Sequence, residues 1–267
     1  MKLQNGTRRT VLVAGGSTGI GRAVARRLVA AGHTVVITGR RRELLDEVVA
    51  ESSGGGGAGR CVAYDGDAAD AEGTAALVAR VVAEVGPIDV ALLNIGAGPV
   101  ANLRRASAVE ITDAMQLNYS TTVNFLVPLI AHLRGRGSSA GREHAVIVHT
   151  NSLAGFLAMP MQGPYSAAKA AARVLIDTAR IELRGSGIRF LSVYPGFIAT
   201  KRRADDGVPA PFEISEDRAA AHIIRAIESR SSDVLFPWQT AALVRTLRAL
   251  PKPVAGGILR RIAPTDY

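Results

Sequence analysis

Short runs of apolar residues, many of them β-branched, recur along the chain: Thr10–Ala14, Thr34–Thr38, Cys61–Tyr64, Ile88–Leu93, Ala145–His149, Ile188–Val193 and Val234–Phe236. Between most of them, apolar positions fall at the three-to-four-residue spacing of a helix face. These stretches are Arg22–Ala31, Glu43–Glu51, Ala71–Val85, Ala108–Leu133, Gly163–Leu183 and Glu216–Ser229. A run that is apolar throughout fits a strand covered on both sides, and strands alternating with helices suit parallel crossovers. The pattern therefore predicts an α/β fold, a doubly wound parallel sheet of about seven strands with helices on both faces. Nothing repeats, and no shift in composition marks a second domain. The expected organisation is an N-terminal extension over 1–9, one domain over 10–237 and a basic amphipathic tail over 238–267.

Local detail refines this pattern. Pro128 falls inside the fourth helix and predicts a kink there. In the helix over 163–183, Ala168, Ala172, Leu175, Ile176, Ala179 and Leu183 form an apolar stripe with Lys169 beside it. An ammonium next to a buried seam calls for a polar or anionic partner. Gly54–Gly57 reads as a surface connection rather than a phosphate loop, because no helix opens directly after it.

Composition narrows the function classes. Apolar residues make up 48% of the 267 residues but aromatics only 4%, so the core must be mostly Ala, Val, Leu and Ile. The net charge of +9 would suit nucleic acid, an anionic membrane or an acidic ligand. The arginines are scattered, however, and no basic tract with interleaved aromatics occurs, which argues against nucleic acid. Cys61 is the only cysteine, so an internal disulfide and a cysteine metal site are both excluded. The five histidines lack ligand spacing and read as surface or strand-end residues, and no metal is expected. Arg8 and Arg9 look faintly like an export signal, but the apolar stretch ends at Gly15, short of the roughly 7–15 residues such a signal needs. No run reaches the roughly 18 apolar residues of a membrane span. The expected location is the cytoplasm.

The first strand runs into Gly15-Gly16-Ser17-Thr18-Gly19-Ile20-Gly21, and a helical pattern starts at once. Glycine permits the tight turn and lets backbone N–H groups and a helix N-terminus approach a pyrophosphate. A glycine turn between strand and helix also occurs for packing reasons alone. Dinucleotide-binding folds place the residue that reads the adenosine ribose about 20 residues on, where an acid suits a free 2′-hydroxyl. Here Gly39-Arg40-Arg41-Arg42 stands instead, and guanidinium groups suit a phosphate dianion. The sequence favours NADP(H) over NAD(H).

Tyr165 and Lys169 lie four apart on the helix over 163–183, a spacing that brings phenol and ammonium onto one face. A nearby positive charge favours phenolate, and a hydroxyl from elsewhere could orient a carbonyl beside it. Taken alone, Tyr-x-x-x-Lys is common by chance. Combined with the glycine turn, it makes the chain resemble a short-chain dehydrogenase/reductase of the common single-domain type, with a Rossmann-like sheet, over about Thr10 to Phe236. Gly15, Gly19 and Gly21 match that family's glycine motif, although its usual leading Thr is Ala14. Asn94-Ile95-Gly96 stands where Asn-Ala-Gly is usual, with Leu93 in place of the motif's first Asn.

The resemblance implies a catalytic tetrad of Asn118, Ser152, Tyr165 and Lys169. It implies cofactor contacts from Gly15, Ser17, Thr18, Gly19, Ile20 and Gly21 in the turn, and from Arg40 and Arg41 after the second strand. Asp67 and Ala68 would lie at the adenine, and Asn94 and Gly96 beside them. Tyr165 and Lys169 would meet the nicotinamide ribose, and Pro195, Gly196, Ile198 and Thr200 the nicotinamide. Ser152 and Tyr165 would hold the substrate oxygen, with Tyr165 as proton donor. Lys169 would lower the tyrosine pKa, and Asn118 would hold a water linking Lys169 to solvent. The expected activity is NADPH-dependent reduction of a ketone or aldehyde. The alternatives are an NAD(P)-dependent secondary alcohol dehydrogenase and a nucleotide sensor without catalysis; an incomplete tetrad would favour the sensor, and all four positions are filled. A homodimer or homotetramer is also implied.

Leu153, Phe156, Met159, Met161 and Phe197 suggest a hydrophobic substrate, and the resemblance implies a lid over it from the segment over 201–213. The tail sets Leu243, Val244, Leu247 and Leu250 against Arg245 and Arg248, with Trp238 at its start. Such a segment can lie on a membrane surface, pack on a subunit or border the pocket. The last two together outweigh the first.

Overall fold

The computed structural model describes residues 3, 7–53, 59–98, 101–136, 144–199 and 210–262. Seven parallel strands form the main sheet: β1 (Thr10–Ala14), β2 (Thr34–Gly39), β3 (Arg60–Asp65), β4 (Val90–Leu93), β5 (Ala145–Thr150), β6 (Ile188–Pro195) and β9 (Asp233–Phe236). Their order across the sheet is β3-β2-β1-β4-β5-β6-β9. A separate short pair, β7 (Ile198–Ala199) with β8 (Ile214–Ser215), lies between β6 and β9 in the chain.

Both faces of the sheet are apolar because side chains alternate along each strand. On β1, Val11 and Val13 enter one core, while Leu12 and Ala14 enter the other. The first core is covered by α1 (Gly19–Ala30), α2 (Arg42–Ser53) and α7 (Glu216–Glu228). The second is covered by α3 (Ala71–Glu84), α5 (Thr121–Gly135) and α6 (Gly163–Glu182). This is the predicted doubly wound architecture, with strand bounds within a residue or two of the apolar runs.

The helix expected over 108–133 is not regular. It divides into α4 (Ala108–Met115), a π turn over Gln116–Ser120, and α5, which continues through Pro128. The irregularity expected at Pro128 therefore falls at Asn118. There the side-chain amide donates both to Ala114 O in its own helix, at 3.0 Å, and to Ala97 O after β4, at 2.9 Å. A proline consumes one backbone bond, whereas this asparagine ties the helix to a neighbouring loop. Gly54–Gly57 lies outside the described residues, as do Thr200 and most of the segment read as a lid.

The C-terminal region folds back on the domain. α8 (Trp238–Ala249) buries Thr240, Ala241, Val244 and Leu247, and its apolar side joins Leu153 and Tyr194. α9 (Lys252–Ile262) follows, and Leu259 is its only buried side chain among those described. No helix among the described residues is long and apolar enough to cross a membrane.

Candidate active site

β1 has β2 on one side and β4 on the other, so the crossovers leaving these strands lie on opposite faces of the sheet. The divergence opens a crevice beyond the carboxyl ends of the strands. A cleft of about 2770 Å³ occupies this edge. It is lined by nearly every residue expected at the site. The exceptions are Gly21 and Asn118, which stand behind the wall, and Thr200, which lies outside the described residues.

At one end the turn after β1 takes positive φ at Gly15 (+80°) and Gly19 (+60°), conformations that L side chains rarely adopt. A Cβ on Gly21 would collide with the Gly15 carbonyl oxygen, so α1 can start this close to the strand only with glycine there. Thr18 precedes the helix without a side-chain cap. The first-turn N–H groups of α1 therefore receive no cap from Thr18, and Gly19 and Ile20 line the cleft, where a helix start favours an anion. Arg40 and Arg41 are exposed at the cleft rim. Arg42 is turned into α2 and pairs with Asp46 at 2.9 Å and Asp65 at 3.3 Å. Asp67 is exposed on the lining and its carboxylate accepts from Ala69 N at 3.0 Å, while Asp70 caps α3. Ala68 is fixed through its carbonyl, which accepts from Asn124 Nδ2 at 2.8 Å. Asn94 Nδ2 lies 3.4 Å from Gly15 O and joins the two loops at the crevice. The uncapped helix start and the absence of a Cβ in the turn fit the diphosphate of a dinucleotide, and Arg40 and Arg41 border the same end of the cleft.

At the other end, the loop after β5 meets α6. Ser152 Oγ accepts from Ala154 N at 3.1 Å and lies close enough to the Tyr165 hydroxyl to act on its pKa. Lys169 is 3% exposed, and its Nζ donates to Thr150 O at 2.9 Å. That carbonyl is the polar partner the sequence called for. Burial pushes the Lys169 pKa down to about 8. It also raises the Tyr165 pKa, which the nearby Ser152 hydroxyl only partly opposes. In the free protein the Lys169 ammonium does not offset this rise. The ammonium lies 5.8 Å from the ring centroid and spends its proton on a backbone carbonyl.

Asn118 Nδ2 serves two carbonyls and its Oδ1 accepts from Ala97 N at 3.0 Å, so both amide protons are engaged within the protein. It fixes the loop after β4 to the π turn between α4 and α5. A Cβ on Gly96 would lie 2.6 Å from Asn118 Oδ1 and 3.1 Å from Lys169 Nζ. The loop can lie this close to the pair only with glycine at that position.

Two site residues escaped the sequence reading. Asn151, buried, accepts from Ser152 N at 2.8 Å through Oδ1 and donates to Lys169 O at 3.0 Å through Nδ2. His149 lies beside it, with Nδ1 at 3.5 Å from Asn151 Nδ2. Burial and then the Lys169 charge hold His149 well below its ordinary pKa, so its imidazole is neutral. The available signal was polarity at the end of an otherwise apolar strand, since buried amides and imidazoles need partners. Of the five apolar residues named for substrate, Leu153, Met159 and Phe197 line the cleft. Phe156 instead packs on Tyr194, with the Arg173 and Arg248 guanidinium groups about 5 Å from its ring. Met161 is not on the lining either; it takes a φ of +61° in the turn before α6. Pro195, Gly196 and Ile198 are held at the edge by Gly196 N donating to Phe236 O (2.8 Å) and by the β7–β8 pair.

Comparison with known proteins supplies a wider setting. The sequence pattern of the family described as short chain dehydrogenase matches residues 9–207. An uncharacterized oxidoreductase of Myxococcus xanthus is 30% identical over 254 residues, covering 95% of this chain and 97% of that one. A ketoacyl reductase of Nostoc sp. is 31% identical over 86% of this chain and 78% of its own length. Among solved structures, a short chain dehydrogenase of Burkholderia cenocepacia, crystallised with NADP, superposes with a TM-score of 0.80. It is 24% identical, over 99% of this chain and all of that one.

Proposed function

This chain belongs to the short-chain dehydrogenase/reductase family and is an oxidoreductase, and from that premise we propose that it reduces a hydrophobic ketone or aldehyde with NADPH. One observation carries this reading. Half-buried Tyr165 lies on the cleft lining beside Ser152, where a phenol can give its proton to a substrate oxygen.

The cofactor, when bound, supplies the hydride. The chain does the rest. The turn over Gly15–Gly21 and the start of α1 hold the diphosphate, and Arg40 and Arg41 hold the 2′-phosphate. Lys169 holds the nicotinamide ribose. Ser152 and Tyr165 donate to the substrate oxygen, whose negative charge grows as its carbon is reduced. Tyr165 then gives up its proton to that oxygen while Ser152 stabilises it. Leu153, Met159 and Phe197 exclude water around the carbonyl. Apolar side chains exposed on α5 and α6, among them Val127, Val174 and Ile181, support a homodimer or homotetramer.

The test starts with NADPH and NADH titrations, followed by a screen of ketones and aldehydes with the tighter cofactor. Tyr165→Phe should retain NADPH binding and lose at least about a hundredfold in turnover. Near wild-type turnover in that variant would remove Tyr165 from the reaction, and tighter NADH binding would remove the role given to Arg40 and Arg41.

A further inference from the structure

The two C-terminal helices have a second side that the reaction does not use. Toward the cleft they present Leu243, Val244, Leu247, Ile258 and Leu259. Away from it Trp238 is 73% exposed and Val254 50%, with Leu243 (40%) and Ile258 (38%) at the boundary. The same helices carry Arg245, Arg248, Lys252, Arg260 and Arg261, all exposed. No acidic residue lies between Asp233 and Asp266 in the sequence. Large apolar side chains left in water beside cations without carboxylates call for a partner that is both anionic and apolar.

We propose that α8 and α9 dock this enzyme onto an anionic lipid bilayer, with the cleft opening toward the acyl region. The sequence alone ranked membrane contact below subunit packing and pocket lining. The structure changes that order, because the inner side of the tail already lines the pocket while the outer side leaves its tryptophan and aliphatics exposed. A second copy of the chain is a poor occupant, since five cations would face five more. A bilayer carrying anionic headgroups satisfies both features. Arginine and lysine meet the headgroups, Trp238 lies at the polar boundary, and Val254 and Ile258 reach the acyl edge. Because the cleft wall and the docking face belong to the same helices, an apolar substrate dissolved in the bilayer reaches the cleft without crossing water. Only this last step rests on the reductase reading; docking itself is read without turnover.

Trp238 is the only tryptophan in the chain, so its emission reports the face directly in the intact protein. Vesicles of phosphatidylcholine with phosphatidylglycerol should shift that emission to the blue and co-sediment the protein at low salt. Phosphatidylcholine alone, or high salt, should do neither. Each cation near an anionic surface is worth about fivefold in partitioning, so Arg260→Ala with Arg261→Ala should weaken binding about 25-fold. NADPH affinity in that variant should be unchanged, which verifies its fold. An unshifted Trp238 spectrum with anionic vesicles overturns the proposal. So does vesicle binding that the double variant leaves intact, because the contact then lies elsewhere on a basic chain. Binding to soluble polyglutamate but not to vesicles would assign the face to an acidic protein instead.

Discussion

Replacing Asn151 with alanine tests whether the loop after β5 and the catalytic helix form one unit. The side chain is 2% exposed and bridges Ser152 N at 2.8 Å to Lys169 O at 3.0 Å. In Asn151→Ala the Ser152 N–H loses its acceptor inside the protein, a loss of about 1–3 kcal/mol. The Lys169 carbonyl loses less, because its place inside α6 leaves it a helical partner. A net loss of roughly 2 kcal/mol lowers Tm by about 4–8 °C in a domain of this size. The effect on catalysis is separate. Lys169 stays anchored through Nζ on Thr150 O, so NADPH affinity should change by no more than about threefold. Ser152 is freed to drift from Tyr165, and a displacement of about 1 Å costs on the order of a hundredfold in kcat. The assay is thermal unfolding, NADPH titration and kcat on one preparation. A lowered Tm with unchanged kcat would refute the reasoning, since Asn151 would then hold the loop without positioning the serine. An unchanged Tm would refute the bond accounting itself.

Three further outcomes bear on the cofactor end. Gly21→Ala forces the turn away from Gly15 O and should cost about 1–3 kcal/mol of stability together with NADPH affinity; an unchanged Kd would show that this turn is not the diphosphate site. Arg40→Ala should weaken NADPH about tenfold and NADH little, because only NADPH carries the 2′-phosphate; equal losses would deny the selectivity. Lys169 has a free-protein pKa of about 8, down from an ordinary 10.5. Ribose contact needs the ammonium, so NADPH affinity should be flat below pH 8 and fall above it, as binding comes to require proton uptake. Stability of the free protein should move the opposite way, rising from pH 8 toward 10.5, where the unfolded chain holds the extra proton. Lys169→Met should abolish both slopes, and a flat affinity profile in the wild type would refute the lysine's place at the ribose.

The sheet was legible because its strands are buried on both faces, so Val11–Ala14, Val90–Leu93 and Ala145–Val148 read as unbroken apolar runs. Such runs between helical patterns leave few topologies open. The glycine turn and the Tyr165–Lys169 spacing were legible for a local reason: each is set by chain geometry over a few residues. What escaped depends on contacts distant in sequence. The π turn at Asn118 arises from a bond to Ala97, and the role of Asn151 from a bond to Lys169, eighteen residues on. Phe156 looked like a pocket residue because periodicity cannot tell which apolar cluster a loop residue joins. Here it belongs with Tyr194.

Tyr165 and Lys169 show how spacing and charge state separate: spacing sets the helix face, and burial acts on the protons. Placing a phenol and an ammonium on one helix face suggested mutual stabilisation of phenolate and ammonium. Both groups are instead drawn toward their neutral forms by a common cause, removal from water: Tyr165 upward, Lys169 downward. In the free protein the ammonium is satisfied by Thr150 O. Ligand oxygens can reach both groups from the cleft. Gly96 keeps the loop after β4 from filling the space at Lys169 Nζ, and the lining at Tyr165 remains open to the cleft. The proton chemistry is thus tied to occupancy of the cleft. Burial favours the phenol that donates a proton, while ligand oxygens at Lys169 favour the ammonium that holds them.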